Sequence, residues 1–122
     1  KNKILSHSYR IPTSIVSAST IMLNIEKKVK KESLIRLFED LEKNQKYNII
    51  KNSEEPLTAI DFRQEEFSTV IDHRWTSINN STLLKMHYWY DNEWGYSSRV
   101  LDLIKEISKY YDVDTYHPHQ RK

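Results

Sequence analysis

A chain of 122 residues holds one modest domain and one core, which excludes most self-contained dinucleotide enzymes. With 38% hydrophobic and 30% charged residues, and eight Tyr, three Trp and three Phe, the composition is that of a packed protein, neither disordered nor collagenous. Nineteen Lys and Arg against seventeen Asp and Glu leave a formal charge of +2, too weak a field to single out nucleic acid or a membrane as partner.

From Ser14 to Val29 the chain is rich in Ile, Val, Ser and Thr. Ile21, Leu23 and Ile25 alternate with Met22, Asn24 and Glu26, the pattern of a strand with one buried face. A basic run, Lys27, Lys28, Lys30 and Lys31, follows. Leu34, Leu37, Phe38 and Leu41 then recur at helical spacing and predict an amphipathic helix over about 31–43, with Asn44 as its stop in the left-handed conformation that Asn tolerates. A polar stretch runs to Pro56. Leu57 to Phe62, Phe67 to Ile71, Trp75 to Ile78 and Leu83 to Tyr90 read as short strands separated by polar turns, notably Asn79-Asn80. Val100, Leu103, Ile104 and Ile107 predict a second helix from about 97 to 110, and residues 112–122, with Pro118, a flexible tail. The fold class is therefore α+β, an antiparallel or mixed β-sheet with two main helices.

Two absences limit the chemistry. Without Cys there are no disulfides, thiolate metal sites or cysteine nucleophile in this chain. A single glycine, Gly95, excludes the Gly-rich loop that cradles a nucleotide phosphate. No stretch approaches the roughly 20 apolar residues of a membrane span. The start lacks both a signal-like apolar run and a Met, as expected of a fragment or processed product. His117 and His119 flank Pro118 but make an incomplete metal site, so no metal is expected there. The Lys27 to Lys31 run reads as a solvated turn ahead of RNA or acidic lipid.

Two segments about 80 residues apart are more specific. Arg10 precedes Ile11-Pro12, so its backbone is extended and its planar guanidinium suits a phosphate as well as an ordinary surface ion pair. Asn92 carries an amide donor and acceptor that match a carboxamide, and it equally suits a helix start, as does Asp91. Gly95 is either a tight turn or the space that a turn leaves beside a ligand. Glu93 and Trp94 are assigned to structure.

Tyr9-Arg10-Ile11-Pro12-Thr13, and Trp89-Tyr90-Asp91-Asn92-Glu93-Trp94-Gly95-Tyr96-Ser97 with Arg99 and Asp102 in register, closely resemble the C-terminal half of the phosphorylating glyceraldehyde-3-phosphate dehydrogenase family. Ala59-Ile60-Asp61-Phe62 and Ser68 to Asp72 are similar to its Asp-Phe and Ser-x-x-x-Asp strands, so the resemblance spans roughly Lys3 to Ser108. Glu55-Pro56-Leu57 and Trp94 resemble the sister family of erythrose-4-phosphate dehydrogenases, and Tyr90 the first family, so both substrates stay open. Gln64-Glu65-Glu66 departs from the Asp-Pro-His common at that place.

The resemblance implies that Arg10 binds the substrate phosphate, that Asn92 holds the nicotinamide carboxamide and that Tyr96 lies beside the nicotinamide ring. It implies a parent enzyme in which a Cys attacks the aldehyde, hydride passes to NAD and inorganic phosphate releases the acyl group. The Cys, its His base and the cofactor domain precede the Arg10 segment in that family, so no catalytic residue is expected here. Residues 1–111 are expected to be a partial C-terminal catalytic domain without the N-terminal NAD-binding domain, inactive alone and binding no NAD by itself. The parent is expected to be a cytoplasmic, glycolytic homotetramer acting on a sugar-phosphate aldehyde, with no membrane or specific nucleic-acid partner. The alternative is a stand-alone, non-catalytic assembly or binding module derived from this family. With the cofactor domain missing, Val100, Leu103, Ile104 and Ile107 are expected either to be partly exposed or to bury against a neighbour.

Overall fold

The eight residues Leu83–Tyr90 form the strand on which the sheet is built, and the computed structural model describes this strand within residues 6, 8–12 and 16–111. In chain order the elements are β1 (Ser17–Asn24), α1 (Lys31–Asn44), β2 (Ile50–Ser53), a 3-10 turn (Ala59–Phe62), β3 (Thr69–Asp72), β4 (Ser77–Asn79), β5 (Leu83–Tyr90) and α2 (Asn92–Ser108). The sheet order is β1-β5-β3-β2, with β4 also paired to β5. All pairings are antiparallel except β2 with β3, so the sheet is mixed and the α+β reading holds.

Alternation along β5 sends Leu84 and Met86 to one face, where they meet Ile71 of β3 and form the core under α1. Leu34 and Phe38, four residues apart on α1, pack against this cluster, whereas Leu37 and Leu41 remain exposed. On the opposite face Val70 and Phe62 are buried, and the Phe62 ring stacks on Trp89 at 5.4 Å. Burying each of these side chains contributes about 1.5–3 kcal/mol. Asp72, buried beside them, accepts two hydrogen bonds from the Arg74 guanidinium, one from the Arg74 backbone amide and one from the Trp89 indole.

Several expectations need correction. β1 pairs along its whole length with β5, but Ile21, Met22 and Leu23 are all exposed, so it is an edge strand without a buried face. In place of the strand expected from Leu57 to Phe62 there is the 3-10 turn Ala59–Phe62: Thr58 and Asp61 form a reciprocal capping box, which favours a helical start. Asn44 ends α1, but without a left-handed step, because Gln45 is extended at φ −73° and Asn44 Nδ2 instead donates to Asp40 O. β2 was not anticipated. Trp75 lies in the turn ahead of β4, and α2 starts at Asn92, five residues before the expected 97. Asn80 and Ser81 take φ of 50° and 63°, consistent with the turn expected at Asn79-Asn80. The tail 112–122 lies outside the described residues. No helix among the described residues is long and apolar enough to cross a membrane.

Candidate functional site

The cleft begins where β5 hands over to α2. Asp91 is the N-cap: one carboxylate oxygen accepts the Glu93 and Trp94 amides at 3.0 Å each, filling donors that a helix start leaves open. The other accepts the Gln64 amide at 3.0 Å. Gln64 has φ 62°, so the segment that departs from the family's Asp-Pro-His is a left-handed turn pinned to the start of α2. Burial pushes the Asp91 carboxyl up, but its hydrogen bonds from the Trp94, Gln64 and Glu93 amides hold it below its ordinary 3.8.

Anchored in this way, the first two turns of α2 present Asn92 and Tyr96 four residues apart on the wall of an open cleft. Asn92 is exposed, its carboxamide in no hydrogen bond among the described residues, and Tyr96 is 72% exposed. The cleft is completed by Ser68, Tyr90, Gly95 and Arg99. Gly95 is helical, so neither turn reading applies. A Cβ there would stand 3.1 Å from the Phe67 carbonyl oxygen, and the residue is small because the helix backbone approaches the chain at Phe67 and Ser68.

Arg99, one turn on, is a strut. Its guanidinium pairs with Asp102 at 2.7 Å, donates to Ser68 Oγ at 3.1 Å and donates to the Asn48 carbonyl, tying α2 to the loop before β2. The cleft therefore offers one free amide and one exposed aromatic ring, which fit a carboxamide-bearing ring. It offers no phosphate cradle: the chain's only glycine is packed on Phe67, and the cleft's one guanidinium is already engaged. Among the described residues the cleft thus suits a carboxamide-bearing ring and shows no place for a phosphate.

Arg10 is exposed and lies outside this cleft, in no hydrogen bond or ion pair among the described residues. Ser17, the first residue of β1, pairs with Tyr90, at the sheet end where α2 begins. Trp94 is 43% exposed. His73 is buried and His87 bonds to Thr20, both away from the cleft, while His7, His117 and His119 lie outside the described residues. Among the described residues no three His, Asp or Glu side chains gather as metal ligands. Asp91 was legible as a cap. Its grip on Gln64, 27 residues back, and the bonds of Arg99 to Asn48 and Ser68 were not, because no local spacing encodes them.

Residues 1–92 match the family described as glyceraldehyde 3-phosphate dehydrogenase, C-terminal domain. Among curated relatives, the chain is 38% identical over 108 residues to the chloroplastic glyceraldehyde-3-phosphate dehydrogenase GAPA1 of Arabidopsis thaliana, covering 88% of this chain and 27% of that protein. It is 36% identical over 103 residues to the chloroplastic glyceraldehyde-3-phosphate dehydrogenase A of Zea mays, covering 84% and 26%. It is 33% identical over 108 residues to glyceraldehyde-3-phosphate dehydrogenase 2 of Bacillus subtilis, covering 88% and 32%. The chain thus spans between about a quarter and a third of the length of these relatives.

Proposed function

We propose, since this chain belongs to the glyceraldehyde 3-phosphate dehydrogenase family by its C-terminal domain, that it is the C-terminal part of an NAD-dependent phosphorylating aldehyde dehydrogenase. The observation that carries this reading is the pairing of a free Asn92 amide with the exposed Tyr96 ring on a helix start braced by Asp91. When bound, NAD supplies the hydride acceptor. Asn92 donates to and accepts from its carboxamide, which fixes the face of the ring turned to the substrate, and Tyr96 lies beside the ring and limits its rotation. Arg10, exposed and uncommitted to any described residue, takes the substrate phosphate with paired N–H donors.

The nucleophilic Cys and its His base come from outside this sequence, which holds no Cys, so the chain alone catalyses nothing. Residues 1–111 then form part of the catalytic domain, with 112–122 as a tail. The substrate is glyceraldehyde 3-phosphate or erythrose 4-phosphate, with inorganic phosphate as co-substrate. A homotetrameric parent, a cytoplasmic setting and a place in glycolysis belong to the same reading. A second reading, a non-catalytic assembly module, is favoured by the apolar residues that α2 leaves exposed.

The test measures NADH formation with each aldehyde, NAD and phosphate. One sample is this chain by itself; the other is the chain joined to the part of the Bacillus subtilis relative that it does not cover. The expected result is no NADH from the chain alone and turnover in the hybrid. Arg10→Ala then raises KM for the aldehyde phosphate about tenfold or more, the loss of a charge-assisted bond, and Asn92→Ala raises KM for NAD. NADH from the isolated chain, or a hybrid indifferent to both substitutions, overturns the proposal. A hybrid that assembles yet never turns over supports the assembly module.

A further inference from the structure

His73 is 2% exposed, a titratable ring set between the sheet and α1, with the Phe38 ring 6.2 Å away. Its Nε2 lies 2.8 Å from Asn52 Oδ1 and its Nδ1 3.2 Å from Thr76 Oγ1. The Asn52 amide has a defined orientation, because its Nδ2 donates to Phe38 O at 2.9 Å and to Glu42 Oε2 at 2.6 Å, and both can only accept. Asn52 therefore turns an acceptor to the ring. Nε2 carries the proton, and Nδ1 accepts from the Thr76 hydroxyl.

The same residues attach α1 to β2. Glu42 accepts the Asn52 amide at 3.0 Å. Gln45, just past the helix, accepts the Ile49 and Ile50 amides at 3.0 and 2.8 Å and donates to Ile50 O at 2.6 Å. Together they cover the outer backbone edge of β2, which would otherwise template another strand.

We propose that His73 is an acid-released latch that holds α1 over the edge of β2. A second ring proton makes Nδ1 a donor aimed at Thr76 Oγ1, whose own proton then loses its one partner among the described residues. The cation is also buried. The charged groups facing it are Glu39 and Lys31 of α1, Glu54 after β2 and Asp72 of β3, with Glu42 reached through Asn52. Glu54, Glu39 and Asp72 favour the cation and Lys31 opposes it, while Asp72 is already paired with Arg74 at 2.6 Å. Burial outweighs these charges, so the ring titrates below its ordinary 6.5.

Lifting α1 admits water and restores the ordinary affinity for a proton. The closed state is then fully favoured above pH 6.5, and loses up to about tenfold per pH unit as the pH falls from there towards the lowered value. What opens is the backbone edge at Ile50 and Asn52 and the apolar faces of Leu34 and Phe38.

Hydrogen exchange on the full chain, corrected for intrinsic rates, tests the latch between about pH 7.5 and 5.5. Protection of the α1 amides is expected to fall as the pH drops below 6.5, by at most about tenfold per unit, while β3 and β5 stay protected. His73→Gln, whose amide still donates to Asn52 but does not titrate, is expected to abolish that dependence. His87→Gln, on the other face of the sheet and bonded to Thr20, is expected to leave it intact. A wild-type chain without pH dependence in α1, or a His73→Gln chain that keeps it, overturns the proposal. If His73→Gln does not fold, proton NMR of the His73 ring in the wild-type chain decides. Its midpoint must lie below 6.5, where the loss of α1 protection levels off, and a ring that titrates at or above 6.5 overturns the latch.

Discussion

Asp91 gathers three backbone donors from two places in the chain, and only one of those places was readable. Asp before Asn-Glu is a familiar helix start, so the Glu93 and Trp94 bonds could be anticipated; Gln64 could not, because its left-handed turn is set by tertiary contact. Gly95 shows the same limit, since a lone glycine in sequence reads as a turn, and only the fold reveals the Phe67 carbonyl that a Cβ would press. Asp91→Ala removes a cap and strands a part-buried amide, an expected loss of roughly 1.5–3 kcal/mol. Urea unfolding with unchanged slope measures it, and a loss well under 1 kcal/mol, the usual value of the cap alone, would show that Gln64 gains nothing from the bond. Because its hydrogen bonds hold the Asp91 carboxyl below 3.8, its contribution is present above that pH and fades as the pH falls through the lowered value. The gap between wild-type and variant stability should therefore narrow in acid.

At the scale of elements, strong local periodicity was legible and pairing was not. α1 and β5 were read almost to the residue, because fourfold apolar spacing and a long aromatic run each outweigh context. β2 escaped because Ile50 to Ser53 has one apolar residue and is a strand only through its parallel partner β3 and the side chains of α1. α2 was read late because its apolar spacing starts at Val100, whereas its first turns are built on Asp91 and Gly95. The cover over β2 leads to a prediction. Gln45→Ala strips the Ile50 amide and carbonyl of their partner, while the Ile49 amide keeps the Tyr47 carbonyl, and leaves an open strand edge. Light scattering is expected to show more self-association than in the wild-type chain, and Gln45→Glu, which restores the acceptor but not the donor, to recover part of the difference. An Ala variant that associates no more than wild type would mean the edge is guarded some other way.

Across the whole molecule, α2 is held by polar struts and leaves its apolar residues in solvent. Gly95 rests on Phe67, Arg99 bonds Asn48 and Ser68, and Glu106 pairs with Lys46 and Lys109, which draw its carboxyl down to about 2. Leu101, Leu103, Ile104 and Ile107 are each between 46% and 58% exposed, matching the expectation for the last three and fitting a chain that spans a fraction of its relatives. A helix of this length without a buried face is marginal in water, and surface ion pairs are screened by salt. The amides from Leu101 to Ser108 should therefore exchange at least about tenfold faster than those of β3 and β5, a difference in opening free energy of about 1.4 kcal/mol or more. Added salt should widen the gap by loosening the Glu106 pairs, and Arg99→Ala should extend fast exchange back towards Gly95. Protection in this stretch equal to that of the strands would show that the apolar face is covered in solution, and dilution would then reveal whether a second copy of the chain covers it, since only that cover weakens as concentration falls.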